Sequence, residues 1–153
     1  MTAVLLIFVA YFYRRMKKKK DYFTIEELED STTAKAKGID NTAPTKERAA
    51  LTLLKDNVLN PAREALGIPV YVNSGYRSPM LNAAVGGAKG SQHVKGEAAD
   101  LDTRKGRDAN KRLFEIIKAQ GNFDQLINEH DYSWVHVSYS STGNQRHQVI
   151  SIA

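Results

Sequence analysis

A chain of 153 residues, 42% hydrophobic and 25% charged, can bury one sizeable core and leaves little room for a second. It contains no cysteine, which excludes disulfide frameworks, thiolate metal sites and cysteine nucleophiles together, so any metal must be held by nitrogen and oxygen. The formal charge of +5 invites a nucleic-acid partner, but Arg14, Arg15 and Lys17 to Lys20 hold 6 of the 22 basic residues in a stretch without acid. From Asp21 onward 16 basic residues face 17 acidic ones, so nucleic acid is not an expected partner of the domain.

Thr2 to Tyr13 is almost wholly apolar, yet its twelve residues fall short of the roughly 20 that span a bilayer as a helix. The basic cluster follows the apolar run, the reverse of a secretory leader, and Met16 opens a lysine run in the manner of a start. Residues 1–20 are therefore read as an apolar then basic segment outside the fold, in which residues 1–15 are either upstream translated sequence or a membrane-proximal anchor and the basic cluster is able to touch anionic lipid. Residues 21–153 are read as one domain, expected to be a monomer.

Thr24-Ile25-Glu26-Glu27 has the spacing of a capping box, so a short helix should begin there and run through Leu28. Ser31 to Pro44 is small and polar and reads as a loop. Leu51, Leu54, Val58, Ala62 and Leu66 recur at helical spacing on a long element that Pro61 should kink or divide and Gly67 should end. Ile68 to Asn73 reads as a strand leading into the Ser74-Gly75-Tyr76-Arg77 turn. Ser78-Pro79 then starts a helix that continues to about Val85 and stops at Gly86-Gly87.

Ala98 to Thr103 reads as a second strand, and Asp108 to Gln120 as a helix closed by Gly121. Phe123 to Glu129 and Trp134 to Tyr139, separated by His130 to Ser133, suit an antiparallel hairpin. The order of elements predicts an α+β domain, a small and mainly antiparallel sheet flanked by helices.

Ser91-Gln92-His93 to Asp100 sets an imidazole and a carboxylate seven positions apart with Gly96 between them, and His136 lies on the last hairpin. Two histidines and a carboxylate with a fourth position open to water form a common catalytic zinc set. Taken alone, a histidine and an aspartate in a loop are more often surface or core residues.

Ser74-Gly75-Tyr76-Arg77-Ser78-Pro79, Asn82, Val85-Gly86-Gly87, Ser91-x-His93-x-x-Gly96-x-Ala98-x-Asp100 and Trp134-Val135-His136-Val137-Ser138 follow one another along the chain. Together they resemble the zinc D-Ala-D-Ala carboxypeptidases. That group includes D,D-dipeptidases and phage L-alanyl-D-glutamate endolysins, and it shares its fold with lysostaphin-type peptidases and the hedgehog signalling domain. The resemblance runs from about Tyr22 to about Tyr139 and is strongest to short phage or prophage members.

It implies a hedgehog/D,D-peptidase-like zinc domain with Zn²⁺ held by His93, Asp100 and His136. It also implies Arg77 in contact with substrate and steadying developing negative charge, for which a rigid guanidinium fork is suited. Ser91 is a candidate substrate contact. The implied activity is hydrolysis of peptidoglycan stem peptides, of D,D-carboxypeptidase or endolysin type, by a lysin acting on the bacterial cell wall from the periplasm or cell surface.

One departure concerns the general base. Better-known members carry an acid three residues before the last histidine, where this chain has Ser133, and serine cannot take a proton from water at neutral pH without its own base. A tight hairpin pairs Glu129 with Trp134 and Ile127 with His136, which sets Glu129 diagonal to His136 on one face. Glu129 is therefore the expected base and Asp131 the alternative. The rival reading is a catalytically silent, zinc-containing cell-wall binding module. His130 and His147 read as solvated, Asp102 as a strand-end carboxylate or a partner orienting a histidine, and Trp134 as core.

Overall fold

The computed structural model describes residues 20–152; the apolar and basic tail read from the sequence therefore lies, but for Lys20, outside the described residues. The N-cap half of the capping box forms: Thr24 Oγ1 accepts from the Glu27 amide at 3.1 Å and starts helix α1, Ile25–Glu29. The stretch read as a loop contains a second helix, α2, Thr32–Lys37, capped by Ser31 and closed by Gly38 at φ 63°. It escapes sequence reading because only Ala34 is buried, so no apolar period marks it.

The long apolar-periodic element is α3, Thr45–Leu54, then a π turn, Lys55–Leu59, then α4, Asn60–Leu66. Pro61 lacks an amide to donate back to the Asn57 carbonyl, and Asn122 Nδ2 donates to that oxygen instead, at 3.0 Å. The wider turn passes the proline without ending the element. Gly67 stops it at φ 76°, as expected.

The strands are β1, Tyr71–Ser74, β2, Ala98–Asp102, β3, Gln125–Glu129, β4, Trp134–Ser138, and β5, Gln148–Ile152, in the order β1-β2-β4-β3-β5. Three pairings are antiparallel and β3 with β5 is parallel, so the sheet is mainly antiparallel as read, with one strand more than the sequence suggested. Helix α5, Pro79–Ala84, follows β1, and α6, Arg107–Gln120, connects β2 to β3. Among the described residues no helix is long and apolar enough to cross a membrane.

Strand alternation sorts the sheet into two faces. Ala99, Leu101, Leu126, Val135 and Val137 are buried at 1% exposure or less and join Leu51, Leu54, Leu113 and Ile117 in one core. Each fully enclosed leucine contributes roughly 1.5–3 kcal/mol. The intervening residues Asp100, Gln125, Ile127, Glu129, Trp134 and His136 point to the opposite face and line a cleft of about 490 Å³. Trp134 is thus half-buried on the cleft wall rather than in the core expected for it, because its place in the pairing puts it on the open face.

Candidate metal centre

Two strands and a short 3-10 turn bring the three expected ligands together. Asp100 on β2 pairs directly with His136 on β4. His93 rides on Gln92–Lys95, a turn capped by Ser91 Oγ at the His93 amide and closed by Gly96 at φ 68°. A side chain at Gly96 would put its Cβ 2.4 Å from the Glu47 carbonyl oxygen, so only glycine lets this turn lie against α3.

One ligand atom from each of His93, Asp100 and His136 lies within 4.8 Å of the others, a group able to hold a metal ion. His93 Nε2 is 3.4 Å and His136 Nδ1 2.8 Å from Asp100 Oδ1. His93 Nδ1 is 2.7 Å from the Gly75 carbonyl oxygen, which can only accept. Nδ1 therefore carries a hydrogen, and in the neutral ring Nε2 keeps the lone pair on the side of Asp100. Burial would raise the Asp100 carboxyl, but the hydrogen bond from His136 and the nearby His93 ring overcome it and hold the group far below the ordinary carboxylate range. An ionised carboxylate and two imidazole nitrogens fit a metal held by nitrogen and oxygen alone.

Arg77 is fixed beside this group. Its Nη2 donates to Asp100 Oδ2 at 3.0 Å and its Nε to Ser74 Oγ at 2.9 Å, so one Asp100 oxygen faces the histidines and the other is anchored by the arginine. The turn that carries Arg77 is itself pinned. The Tyr76 amide donates to the Leu28 carbonyl at 2.7 Å, and a Cβ on Gly75 would stand 2.1 Å from that oxygen. Buried Asn41 donates to the Glu29 and Tyr76 carbonyls and accepts from the Ser78 amide.

The hairpin register is the one expected: Glu129 pairs with Trp134 and Ile127 with His136, which leaves Glu129 diagonal to His136 on the cleft face. The tight turn between them places His130, Asp131 and Tyr132 at φ 47°, 53° and 60°. Asn110 of α6 clamps that turn through the Tyr132 and Ser133 carbonyls. Asp131 is 72% exposed, bound to Arg107 at 2.8 Å, and does not line the cleft. Ser133 Oγ donates to the His130 carbonyl. Asp102 accepts from Asn110 and from the Arg104 amide, as a strand-end carboxylate. His130 and His147 are exposed.

Ser91 lines the cleft as well. So do Gln92, Gln125 and Arg146, which the sequence reading does not single out. Gln92 hides in a variable position of the histidine motif, and Arg146 lies past the last motif; its one sequence signal is a lone arginine among polar residues.

Residues 21–138 match the Peptidase M15 family. Over 80 residues the chain is 39% identical to the zinc D-Ala-D-Ala carboxypeptidase of Streptomyces albus G, an alignment that covers 52% of this chain and 30% of that protein. The aligned part is thus less than a third of the relative's length. With the metal-binding group formed by the family-like motifs and most of the chain inside the match, the chain belongs to the peptidase M15 family.

Proposed function

We propose that this chain is a zinc peptidase that cuts amide bonds next to D-amino acids in peptidoglycan stem peptides, with residues 21–153 as the working unit. The observation that carries the reading is the His93, Asp100 and His136 group, gathered on the open face of the sheet in a cleft that also holds Glu129 and Arg77. Two imidazoles and one carboxylate are the donors of catalytic zinc sites that keep one position open. The similarity to a zinc D-Ala-D-Ala carboxypeptidase supports the metal and the substrate class.

Bound by these three residues, zinc would supply Lewis acidity to the scissile carbonyl and to the attacking water. Glu129 moves the proton. Its carboxylate accepts a proton from the water as the water oxygen bonds to the carbonyl carbon, and returns it to the amine nitrogen as the carbon–nitrogen bond breaks. Arg77, braced by Ser74 and Asp100, supplies positive charge for the carbonyl oxygen or for a substrate carboxylate. Glu129 is preferred to Asp131 because it shares the cleft with His136, whereas Asp131 points into solvent with Arg107. Ser91, engaged with the His93 amide, stands at the rim as a substrate contact.

Ser133 favours a second reading. No acid stands three residues before His136, and a zinc-containing module that binds cell wall without cutting it is the alternative. The test is release of D-alanine or of larger peptides from purified cell wall by the zinc-loaded chain, before and after chelation. A peptidase loses release on chelation and regains it with zinc, and the mass of the product tells D-Ala-D-Ala cleavage from cleavage between L-Ala and D-Glu. Tight binding to wall without release at any zinc concentration selects the silent module.

A further inference from the structure

Arg77 and Arg146 reach the same cleft from opposite edges of the sheet. Arg77 follows edge strand β1, Arg146 precedes edge strand β5, and the ligand-bearing strands β2 and β4 lie between. Arg146 also falls outside residues 21–138, the part of the chain that matches the family.

Arg146 is held more firmly than a surface arginine. Its amide donates to Asp124 Oδ1 at 2.9 Å, its Nε to both carboxylate oxygens at 3.2 and 3.0 Å, and its Nη2 to Oδ2 at 2.6 Å and to Gln92 Oε1 at 3.2 Å. Asp124 is buried, and Gln92 Nε2 donates to it at 3.0 Å. A guanidinium has five N–H groups, and these bonds use the one on Nε and the two on Nη2. Among the described residues nothing accepts from Nη1, although the side chain lines the cleft and is 57% exposed.

The position also suits an anion. Gln125, next to Asp124, lies two residues along β3 from Ile127, the partner of His136, or about 7 Å at the usual rise. Glu129 lies at the far end of the strand, about 13 Å from Gln125. Arg146 is bonded to Asp124 at the start of β3, so along that strand the residue paired with His136 lies between it and the base.

We propose that Arg146 is a substrate-binding residue that takes a free carboxylate of the peptide, on a residue next to the scissile amide, so that the cleft selects acidic peptides. Asp124 and Gln92 are its positioning residues. The inference rests on the peptidase reading above and adds to it the charge of the preferred substrate.

The probe is a stem peptide that contains D-glutamate and ends in D-alanyl-D-alanine, together with versions in which each free carboxylate in turn is a carboxamide. kcat/KM is measured with the zinc-loaded full chain, with Arg146→Gln, and with the double variant Asp124→Asn/Arg146→Gln, which leaves no buried charge unpaired if the single variant folds poorly. The ratio of acid to amide is read, because a misfolded fraction lowers both rates alike. One amidation should lower the wild-type value by about 10- to 100-fold, the scale of a charge-assisted hydrogen bond, and lower both variants by less than about 3-fold. A penalty that stays the same in the variants belongs to another residue such as Arg77, and if every penalty behaves so the proposal is overturned. Wild-type protein that cuts none of the peptides overturns the peptidase reading and this inference with it, an absence of rate that is distinct from an unchanged ratio.

Discussion

The two walls of the cleft are held by different kinds of bond. On the β1 side the backbone packs on backbone: the Tyr76 amide meets the Leu28 carbonyl, Gly75 fits where no side chain could, and the Gly75 carbonyl in turn orients His93. On the β5 side the chain is tied by buried carboxylates. Asp124 gathers Arg146 and Gln92, and Glu97 accepts from the Ser141 amide and hydroxyl. The first wall is set by shape and orients His93 beside the candidate ligands on β2 and β4, while the second is set by charge and, on the proposal above, meets the substrate away from them. The first should therefore fail through sterics or lost ligands, and the second through lost ionisation, with the metal left in place.

The largest effect belongs to the ligand side. His93→Ala or His136→Ala should abolish binding of the expected single zinc per chain, because two remaining donors fall one short of the three that hold a catalytic zinc. Full zinc in both variants by elemental analysis would remove the ligand assignment. Gly75→Ala comes next: its Cβ would meet the Leu28 oxygen at 2.1 Å, so denaturant unfolding should show a loss of more than about 2 kcal/mol. Zinc affinity should fall about 10-fold or more, since the carbonyl that orients His93 has to shift.

On the opposite wall Asp124→Asn should cost roughly 1–3 kcal/mol, the scale of losing charged hydrogen bonds at a buried group, lessened by the exposure of Arg146. Its zinc content should match wild type, and a loss of zinc would break the distinction between the walls. The smallest effect is one of pH. Burial would raise the Asp124 carboxyl, but the bonds from Arg146 and Gln92 outweigh it and leave the group below its ordinary value of 3.8. A lowered carboxylate contributes stability that is present above the ordinary value and is lost as pH falls through the folded one. The amide resonance of Arg146, which donates to the Asp124 carboxylate, should therefore hold steady down to about pH 4 and move below it. Movement confined to higher pH would mean that Asp124 does not hold this wall.

The same contrast explains what the sequence reveals. The β1 wall is written in short motifs, because a turn that needs glycine, a capping serine and an arginine leaves those residue types at fixed spacing. Ser74 to Pro79, His93, Gly96 and Asp100 were all legible for that reason, and the hairpin register followed from a four-residue turn between two strand-like runs. The β5 wall depends on pairs 22 and 44 residues apart, Arg146 with Asp124 and Ser141 with Glu97, which leave no local pattern. β5 itself is exposed along most of its length and joins β3 in parallel, so neither burial nor a hairpin turn announces it. Trp134 was misplaced because hydrophobicity alone does not say which face of a strand a residue takes.

The proposed mechanism turns on Glu129, on the face shared by both walls. The direct measurement is the initial rate of peptide release from cell wall by Glu129→Gln, taken beside its zinc content and beside Asp131→Asn and Ser133→Ala. Glutamine keeps the shape but accepts no proton, so Glu129→Gln should keep its zinc and lose about 100-fold or more in rate, while the other two should change only a few-fold. A Glu129→Gln protein that releases peptide at a near-normal rate would contradict the account, and a collapse in Asp131→Asn alone would move proton transfer out of the cleft and into the turn.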